Sequence, residues 1–572
     1  MPAGIGAAAP SEWRLPVWAL LLLIGFLALY PIGWLVLGSF SLGSPLQSGG
    51  LTLENFRTAY SDPEVVRSLG STMVFAVGQM VVAVTFGTAL AWVVARTDVP
   101  GRRAFEFMIT FIFLMPLILG VVAWTMLLSP GRGLINQALM AAFGLEAPPF
   151  NVNSMGGMIF VQGLYVTPLA FLIILPGFRS MNGALEEAAR MSGAGPWACF
   201  RQVTLPMMFP SILSAALLLT IIGIESFDVP QLLGAPVGIY TYPTQIYAAV
   251  AGRYPPDYGT GTALAVSLLA VTAVGVFFYR RATRAAGRYA TVHGKGGAAA
   301  PVDLGRWRWM VSGVCWLFFA LAVFLPMGVL LLGSFLRFFG RFDATTFSRM
   351  TLENYGKIFS HPRVAEGALN SLLVSSISAT ICVMLAVAVG YVAIRTTERG
   401  RGVLEGLAML PISFPATVLG LGLLWGYVVF PVPVYGTIAI LLIAYATRYL
   451  PIGLRTVAGP LMQLSRELEE AARMSGAGQY RTVGAIVLPL LRPALVSAWV
   501  LLFMMFMREL GMSILLAGLD NPVLSVVMYD YYESGELPLL SALCLVLMAG
   551  VGLMALLVQR VLGRRRDPIG VG

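Results

Sequence analysis

Glu186-Glu187-Ala188-Ala189-Arg190-Met191-Ser192-Gly193-Ala194-Gly195 returns, residue for residue, as Glu469-Glu470-Ala471-Ala472-Arg473-Met474-Ser475-Gly476-Ala477-Gly478. Chance does not repeat such a stretch, and a lipid-facing helix would not keep two adjacent glutamates. Each copy continues alike, through Val203-Thr204-Leu205-Pro206 and Ile486-Val487-Leu488-Pro489, so both obey the spacing EAA-x3-G-x9-[IV]-x-LP. The likeness reaches further upstream. Leu51-Thr52-Leu53-Glu54-Asn55-Phe56 matches Met350-Thr351-Leu352-Glu353-Asn354-Tyr355, and Arg96-Thr97 matches Arg395-Thr396. The chain is therefore an internal duplication.

Its solvent is not water. Hydrophobic residues make up 58% of the chain and charged ones only 11%, and apolar runs of about 20 residues are what a bilayer-spanning helix requires. Twelve such runs are read at about 17–40, 70–95, 104–128, 156–178, 207–234, 262–280, 310–334, 370–394, 404–428, 434–456, 487–517 and 540–560. The first is too long for the apolar core of a signal peptide and lacks a convincing small-residue cleavage site, so it is read as a span. The expected fold is an all-α integral membrane protein of twelve transmembrane helices. These form two parallel six-helix repeats related by a pseudo-twofold along the membrane normal. Residues 1–280 form the first repeat, 281–308 a cytoplasmic linker containing His293-Gly294-Lys295-Gly296-Gly297, and 309–572 the second repeat.

Charge sets the orientation. With the N-terminus inside, most of the 37 lysines and arginines fall in inner segments, among them Arg102, Arg103, Arg179, Arg280, Arg281, Arg399, Arg401, Arg455 and Arg564 to Arg566. Both termini are then cytoplasmic. The net charge of +10 is topological. It is spread over membrane-flanking loops rather than gathered on one domain, which argues against nucleic-acid binding. Cys199, Cys315, Cys382 and Cys544 are widely separated, no CxxC occurs, and two histidines cannot complete a metal cluster with them. They read as small apolar side chains, with no metal site and no bound cofactor expected. A P-loop is equally missing. Of the two lysines, Lys295 and Lys357, neither ends a Gly-x4-Gly-Lys-[Ser/Thr] motif, so the chain cannot be its own P-loop ATPase.

The repeated loop resembles the cytoplasmic coupling loop of permeases in binding-protein-dependent ABC importers. Physically, Ala184 to Ser192 suits a short helix with Glu186 and Glu187 near its favourable end. Gly193, with Gly195-Pro196, permits a sharp bend before a second short helix. The resemblance implies that the loops, at about 182–206 and 465–489, seat two copies of a cytoplasmic ABC ATPase, which binds the ATP and Mg. Glu186, Glu187, Ala188, Ala189 and Gly193 in one copy, and Glu469, Glu470, Ala471, Ala472 and Gly476 in the other, would transmit ATP-driven closure. Pro196-Trp197 stands where the second copy has Gln479-Tyr480, so the two contacts differ in detail. The outer segments are too short to build a substrate-binding lobe. A separate soluble or lipid-anchored solute-binding protein is therefore expected, at a bacterial-type inner membrane.

Charges inside a membrane are costly and point to function. Glu225, Asp228, Arg508 and Glu509 stand out as candidates for a translocation path or gate. Pro206 to Glu225 and Pro489 to Arg508 are equal separations along the chain, which suggests a Glu225–Arg508 ion pair across the pseudo-twofold, with direct contact to the solute as the other reading. The fused arrangement, with Glu225-Ser226-Phe227-Asp228-Val229-Pro230 and Arg508-Glu509-Leu510, most resembles ferric-iron uptake permeases. Thiamine, polyamine, phosphonate and sulfate systems share the loop and remain alternatives. A secondary transporter of the major facilitator type is the competing class. Its inner-loop signature fits Arg96 to Arg103 poorly, and it leaves the duplicated loop unexplained. The outer clusters Tyr529 to Glu533 and Tyr254 to Tyr258 carry oxygen donors suited to hard cations, although such clusters are more often wet interface residues.

Overall fold

A backbone in hydrocarbon must satisfy its own hydrogen bonds, and an apolar sequence of this length does so as helix. The computed structural model describes residues 14–42, 50–181, 183–289, 302–340, 346–430, 432–518 and 520–563, and these are almost entirely helical. Two isolated bridges, Ser41 with Leu51 and Thr97 with Val302, are the extended pairings among the described residues. Among the described residues, ten helices are long and apolar enough to cross a bilayer. Two bent pairs bring the number to 12 when each pair counts as one span.

The first repeat comprises α1 (Arg14–Ser39), α2 (Pro63–Arg96), the bent pair α3 (Arg102–Leu114) and α4 (Leu117–Leu128), and α5 (Met155–Ser180). It continues through the short loop helix α6 (Ala184–Met191), α7 (Leu205–Glu225), α8 (Tyr242–Ala251) and α9 (Tyr258–Tyr289). The second repeat follows the same order. It comprises α10 (Trp307–Ser334), α11 (Pro362–Arg395), the bent pair α12 (Arg401–Met409) and α13 (Ala416–Val428), and α14 (Ile438–Gln463). Then come the loop helix α15 (Arg466–Met474), α16 (Leu488–Met507), α17 (Leu524–Glu533) and α18 (Leu537–Gly563). Six spans, one loop helix and one short helix before the sixth span thus occur twice. The all-α, two-repeat membrane fold is the one the sequence implies.

Packing within each repeat depends on small residues. The two long pairs, α2 with α5 and α11 with α14, run against each other. Gly87 lies so near α5 that an added Cβ would meet the Ala170 Cβ at 2.5 Å. Where lipid is as apolar as leucine, close approach of small residues supplies the attraction between helices. Large side chains such as Leu15, Trp18, Leu22 and Phe277 are exposed on the outside of the bundle, as a lipid-facing surface requires.

The duplicated L/M-T-L-E-N-[FY] motif has a structural use. Asn55 donates to the carbonyls of Ser39 (3.1 Å) and Ser41 (2.9 Å), and Asn354 to those of Ser334 (2.9 Å) and Leu336 (2.7 Å). Each asparagine satisfies carbonyls left open where the first span of its repeat ends.

The structure departs from the sequence reading at several places. The runs at 104–128 and 404–428, each read as one span, bend by 97° and 109°. The cause is Met115-Pro116 and Phe414-Pro415. The residue before a proline avoids the helical region, and both Met115 and Phe414 are extended. The fifth and eleventh spans end earlier than their apolar runs, at Glu225 and Met507. The stretch read as a linker, 281–308, begins as a continuation of α9, and Val302 N–H donates to the Arg96 carbonyl at 2.7 Å. His293 to Gly297 and Arg564 to Arg566 lie outside the described residues.

Candidate functional site

Both repeated loops fold as a short helix, a tight turn and a second short helix, Pro196–Cys199 in one and Gln479–Thr482 in the other. The turn is a helix C-cap. Gly193 and Gly476 sit at φ +85° and +82°, and the next residue returns a bond to the helix, Ala194 N–H to the Ala189 carbonyl and Ala477 N–H to the Ala472 carbonyl, each at 3.0 Å. This is the left-handed capping position that glycine fills without steric cost. The bend is therefore fixed rather than flexible. Gly193→Pro and Gly476→Pro, which lock φ near −65°, are expected to leave the spans inserted but abolish coupled import, with Gly→Ala intermediate. ATP-driven import per inserted transporter checks this, and normal import by both proline variants would remove the loops from the mechanism.

The structure separates the paired glutamates. Glu186 is 4% exposed and Glu469 5%, whereas Glu187 and Glu470 are exposed. Glu186 forms a buried ion pair with Arg96, at the end of α2, and accepts from the Thr204 hydroxyl at 2.6 Å. Glu469 lies 3.4 Å from Arg395, at the end of α11, and accepts from the Tyr391 hydroxyl at 2.8 Å. Arg473, four residues on, adds a third contact at 3.5 Å. The Arg-Thr pairs that marked the repeat in sequence are thus the anchors of the two loops. The inner glutamate latches the loop helix to a span, and the outer one faces away from the bundle.

Around each outer glutamate stands an apolar rim that the sequence reading did not single out for contact. Leu185, Met191 and Trp197 are 53%, 85% and 71% exposed, and their equivalents Leu468, Met474 and Tyr480 are 46%, 90% and 61% exposed. Each loop therefore presents large exposed side chains at three matching positions, two on the loop helix and one on the short helix after the turn. Apolar side chains exposed together in this way mark a surface for a partner.

A second constellation lies among the span ends. Glu225 is the last residue of α7, and its partner is Arg448 of α14, 3.4 Å away. The expected Glu225–Arg508 pair is not formed. Arg508 instead donates to the Phe113 carbonyl at 2.9 Å and lies over the Phe113 ring, its guanidinium 5.7 Å from the centroid. Arg448, which sequence reading missed, donates to the Phe414 carbonyl. Phe113 and Phe414 stand at the two helix bends. Bent spans leave carbonyls without helical partners in a medium that offers no water, and each arginine covers one of them.

Glu509 is held by a hydrogen bond from the Tyr449 hydroxyl and by the Met512 N–H at 3.2 Å, while Ser513 and Ser525 both donate to its carbonyl at 2.7 Å. Asp228 and Arg508 share the wall of a small cavity with Ser525 and Met528, with room for roughly one water molecule. Glu225 and Asp228 belong to the first repeat, and Arg448, Arg508 and Glu509 to the second. The network therefore spans the seam between them.

Two six-span repeats, each with a fixed loop helix on one face and a polar seam between them, define a multi-pass membrane permease. The comparisons agree. The chain matches the model for "Binding-protein-dependent transport system inner membrane component" twice, at residues 83–287 and 382–568, once in each repeat. It belongs to that family and is the permease component of an ABC importer, not an enzyme in its own right. The ferric transport system permease protein FbpB of Actinobacillus pleuropneumoniae is 27% identical over 96% of this chain and 78% of its own length. A putative ferric transport system permease of Haemophilus influenzae is 27% identical over 90% and 79%. A putative 2-aminoethylphosphonate permease, PhnU of Salmonella typhi, is 26% identical over 46% of this chain and 94% of its own length.

Proposed function

We propose that this chain is a two-repeat translocation unit that moves ferric iron inward. An external solute-binding protein delivers the iron, and two cytoplasmic ATPase subunits, one on each loop, drive its passage. The observation that carries the reading is the pair of equivalent loop helices, each locked inward by one glutamate and presenting the other with its apolar rim. Glu187, Glu470 and the rims are the docking contacts. Glu186–Arg96 and Glu469–Arg395 pass the motion of the docked subunits to α2 and α11. The distribution of arginines supports placing both termini, with the loops, on the cytoplasmic side of an inner membrane. ATP and Mg are bound by the ATPase subunits.

Iron is assigned because relatives named for ferric transport match across both repeats, whereas the phosphonate relative matches 46% of the chain. Reconstitution with a candidate ATPase and a candidate solute-binding protein tests the assignment. ATP-dependent, vanadate-sensitive uptake of radio-iron is expected. Uptake of thiamine, a polyamine, a phosphonate or sulfate with none of iron would overturn the solute, and uptake driven by a proton gradient without ATP would overturn the class.

A further inference from the structure

Helix α17 follows the polar seam toward the face opposite the loops. Three of its polar side chains, Ser525, Tyr529 and Glu533, fall on one stripe, spaced i, i+4 and i+8. At 1.5 Å per residue that stripe spans about 12 Å. At its inner end Ser525 donates to the Glu509 carbonyl and lines the cavity shared by Asp228 and Arg508. In the middle the Tyr529 hydroxyl donates to the Glu533 carboxylate and accepts from Gln231 Nε2 at 3.0 Å, and Tyr247 of α8 stands beside it. At its outer end Glu533 is exposed. Burial falls away outward along the stripe, from buried Ser525 and Tyr529 to Glu533, so the polar line runs from the solvent edge to the cavity.

The duplication shows that the fold does not require this stripe. The equivalent positions on α8, fixed by the matching bonds of Tyr242 N–H to Thr72 and Leu524 N–H to Ser371, are Pro243, Tyr247 and Ala251. The tyrosine recurs while the serine and the carboxylate belong to α17 alone, yet α8 packs in its own repeat. The stripe faces the other repeat, and Tyr532 fastens α17 there by donating to the Leu232 carbonyl at 3.1 Å.

We propose that the stripe of α17 is the outer contact site for the transported solute and that it selects a hard, multiply charged cation. Carboxylates stand at both ends, Glu533 and Asp228, with neutral oxygen donors from Tyr529, Tyr247 and Gln231 between them. Burial and the Glu533 carboxylate push the Tyr529 phenol up, so it serves as a neutral oxygen donor. Hard cations take oxygen ligands of this kind. The nearby cation, Arg363, is neutralised by Asp530 at 2.7 Å. An anion would meet Glu533 first and be repelled. No group of three or more His, Cys, Asp or Glu able to hold a metal occurs among the described residues. The contact is accordingly one of passage, because conduction needs binding weak enough to release. Arg508 sits at the inner end on the Phe113 carbonyl and bars a cation from going further until the seam opens.

This site rests on the ferric reading only for the identity of its cation, and the test keeps the two apart. Terbium(III), a hard trivalent probe sensitised by nearby tyrosine, is titrated into the purified full-length chain in nanodiscs. A saturable site is expected, displaced by gallium(III) and not by silver(I). Tyr529→Phe and Glu533→Gln should each weaken it by about tenfold, the effect of losing one hydrogen bond to a charged group. Glu536→Gln, exposed nearby and off the stripe, should not. In the reconstituted transporter the same two variants should raise the iron concentration for half-maximal import, with the maximal rate less affected. Terbium binding untouched by either variant, or displaced by silver alone, overturns the site. Wild-type iron import with normal import by both variants also overturns it and leaves the ferric reading standing. Stripe-dependent terbium binding in a transporter that imports no iron overturns the ferric reading and leaves the cation site.

Discussion

Glu225→Gln is expected to destabilise the protein strongly, and Arg448→Gln, not Arg508→Gln, to restore it. Removing one member of a buried ion pair leaves the other charge desolvated and unpaired, which typically costs about 3–5 kcal/mol. The Glu225 and Arg448 side chains are 11% and 19% exposed, so residual solvent screening places the loss near about 3 kcal/mol. In the double variant Glu225→Gln/Arg448→Gln neither charge remains, although the Phe414 carbonyl loses the guanidinium that covers it. Much of the loss should return. Glu225→Gln/Arg508→Gln should show the two losses added, because Arg508 spends its hydrogen bond on Phe113 in the other bend. Thermal unfolding of the purified chain, read beside import per folded transporter, separates these outcomes. Rescue by Arg508→Gln with none by Arg448→Gln would show that the seam is wired as the repeat equivalence alone suggests.

The difference between those two wirings shows what a sequence of this kind can and cannot disclose. Duplication, spans and the two loops are carried by local features: apolar runs, a ten-residue identity and a fixed spacing to Leu-Pro. Each survives without knowledge of any neighbour. Glu225 and Arg508 were visible as costly charges, and their matched separation from Pro206 and Pro489 puts them at equivalent positions in the sequence. Equivalent positions need not touch, however. Each can face a different element of the opposite repeat. Arg448 lies within the apolar run at 434–456, so the cost of an intramembrane charge marks it in the same way, and only its partner is hidden. Its reason for being there is the Phe414 carbonyl, freed by Pro415, and no feature near Arg448 in sequence records that bend. The split between Glu186 and Glu187 was hidden for a related reason. Adjacent helical positions point about 100° apart, so one turns inward and the other outward. Which does which depends on where Arg96 ends α2.

That split yields the second large effect. Arg96→Gln is expected to cost about 3–5 kcal/mol, the typical loss when a buried pair loses one partner, and Arg395→Gln distinctly less. Glu186 would keep only the Thr204 hydroxyl, which cannot balance a carboxylate charge. Glu469 would keep the Tyr391 hydroxyl and the Arg473 guanidinium, so its charge stays compensated. The functional signature should follow the same asymmetry. With α6 no longer held to α2, ATPase subunits can still dock on Glu187 and the apolar rim, but their closure no longer pulls the span. ATP hydrolysis should persist while solute imported per ATP falls, more in Arg96→Gln than in Arg395→Gln. Glu187→Ala should behave oppositely, with unfolding temperature unchanged and ATPase association weakened, because its side chain is exposed and pairs with nothing inside the bundle. Arg96→Glu with Glu186→Arg restores the pair with its direction reversed, and it should recover stability and the import-to-hydrolysis ratio together. Stability recovered without that ratio would make the pair a structural brace and move the transmitting contact to the apolar face of α6. Equal losses in Arg96→Gln and Arg395→Gln would show that Arg473 does not compensate Glu469, and the two loops would then be mechanically alike.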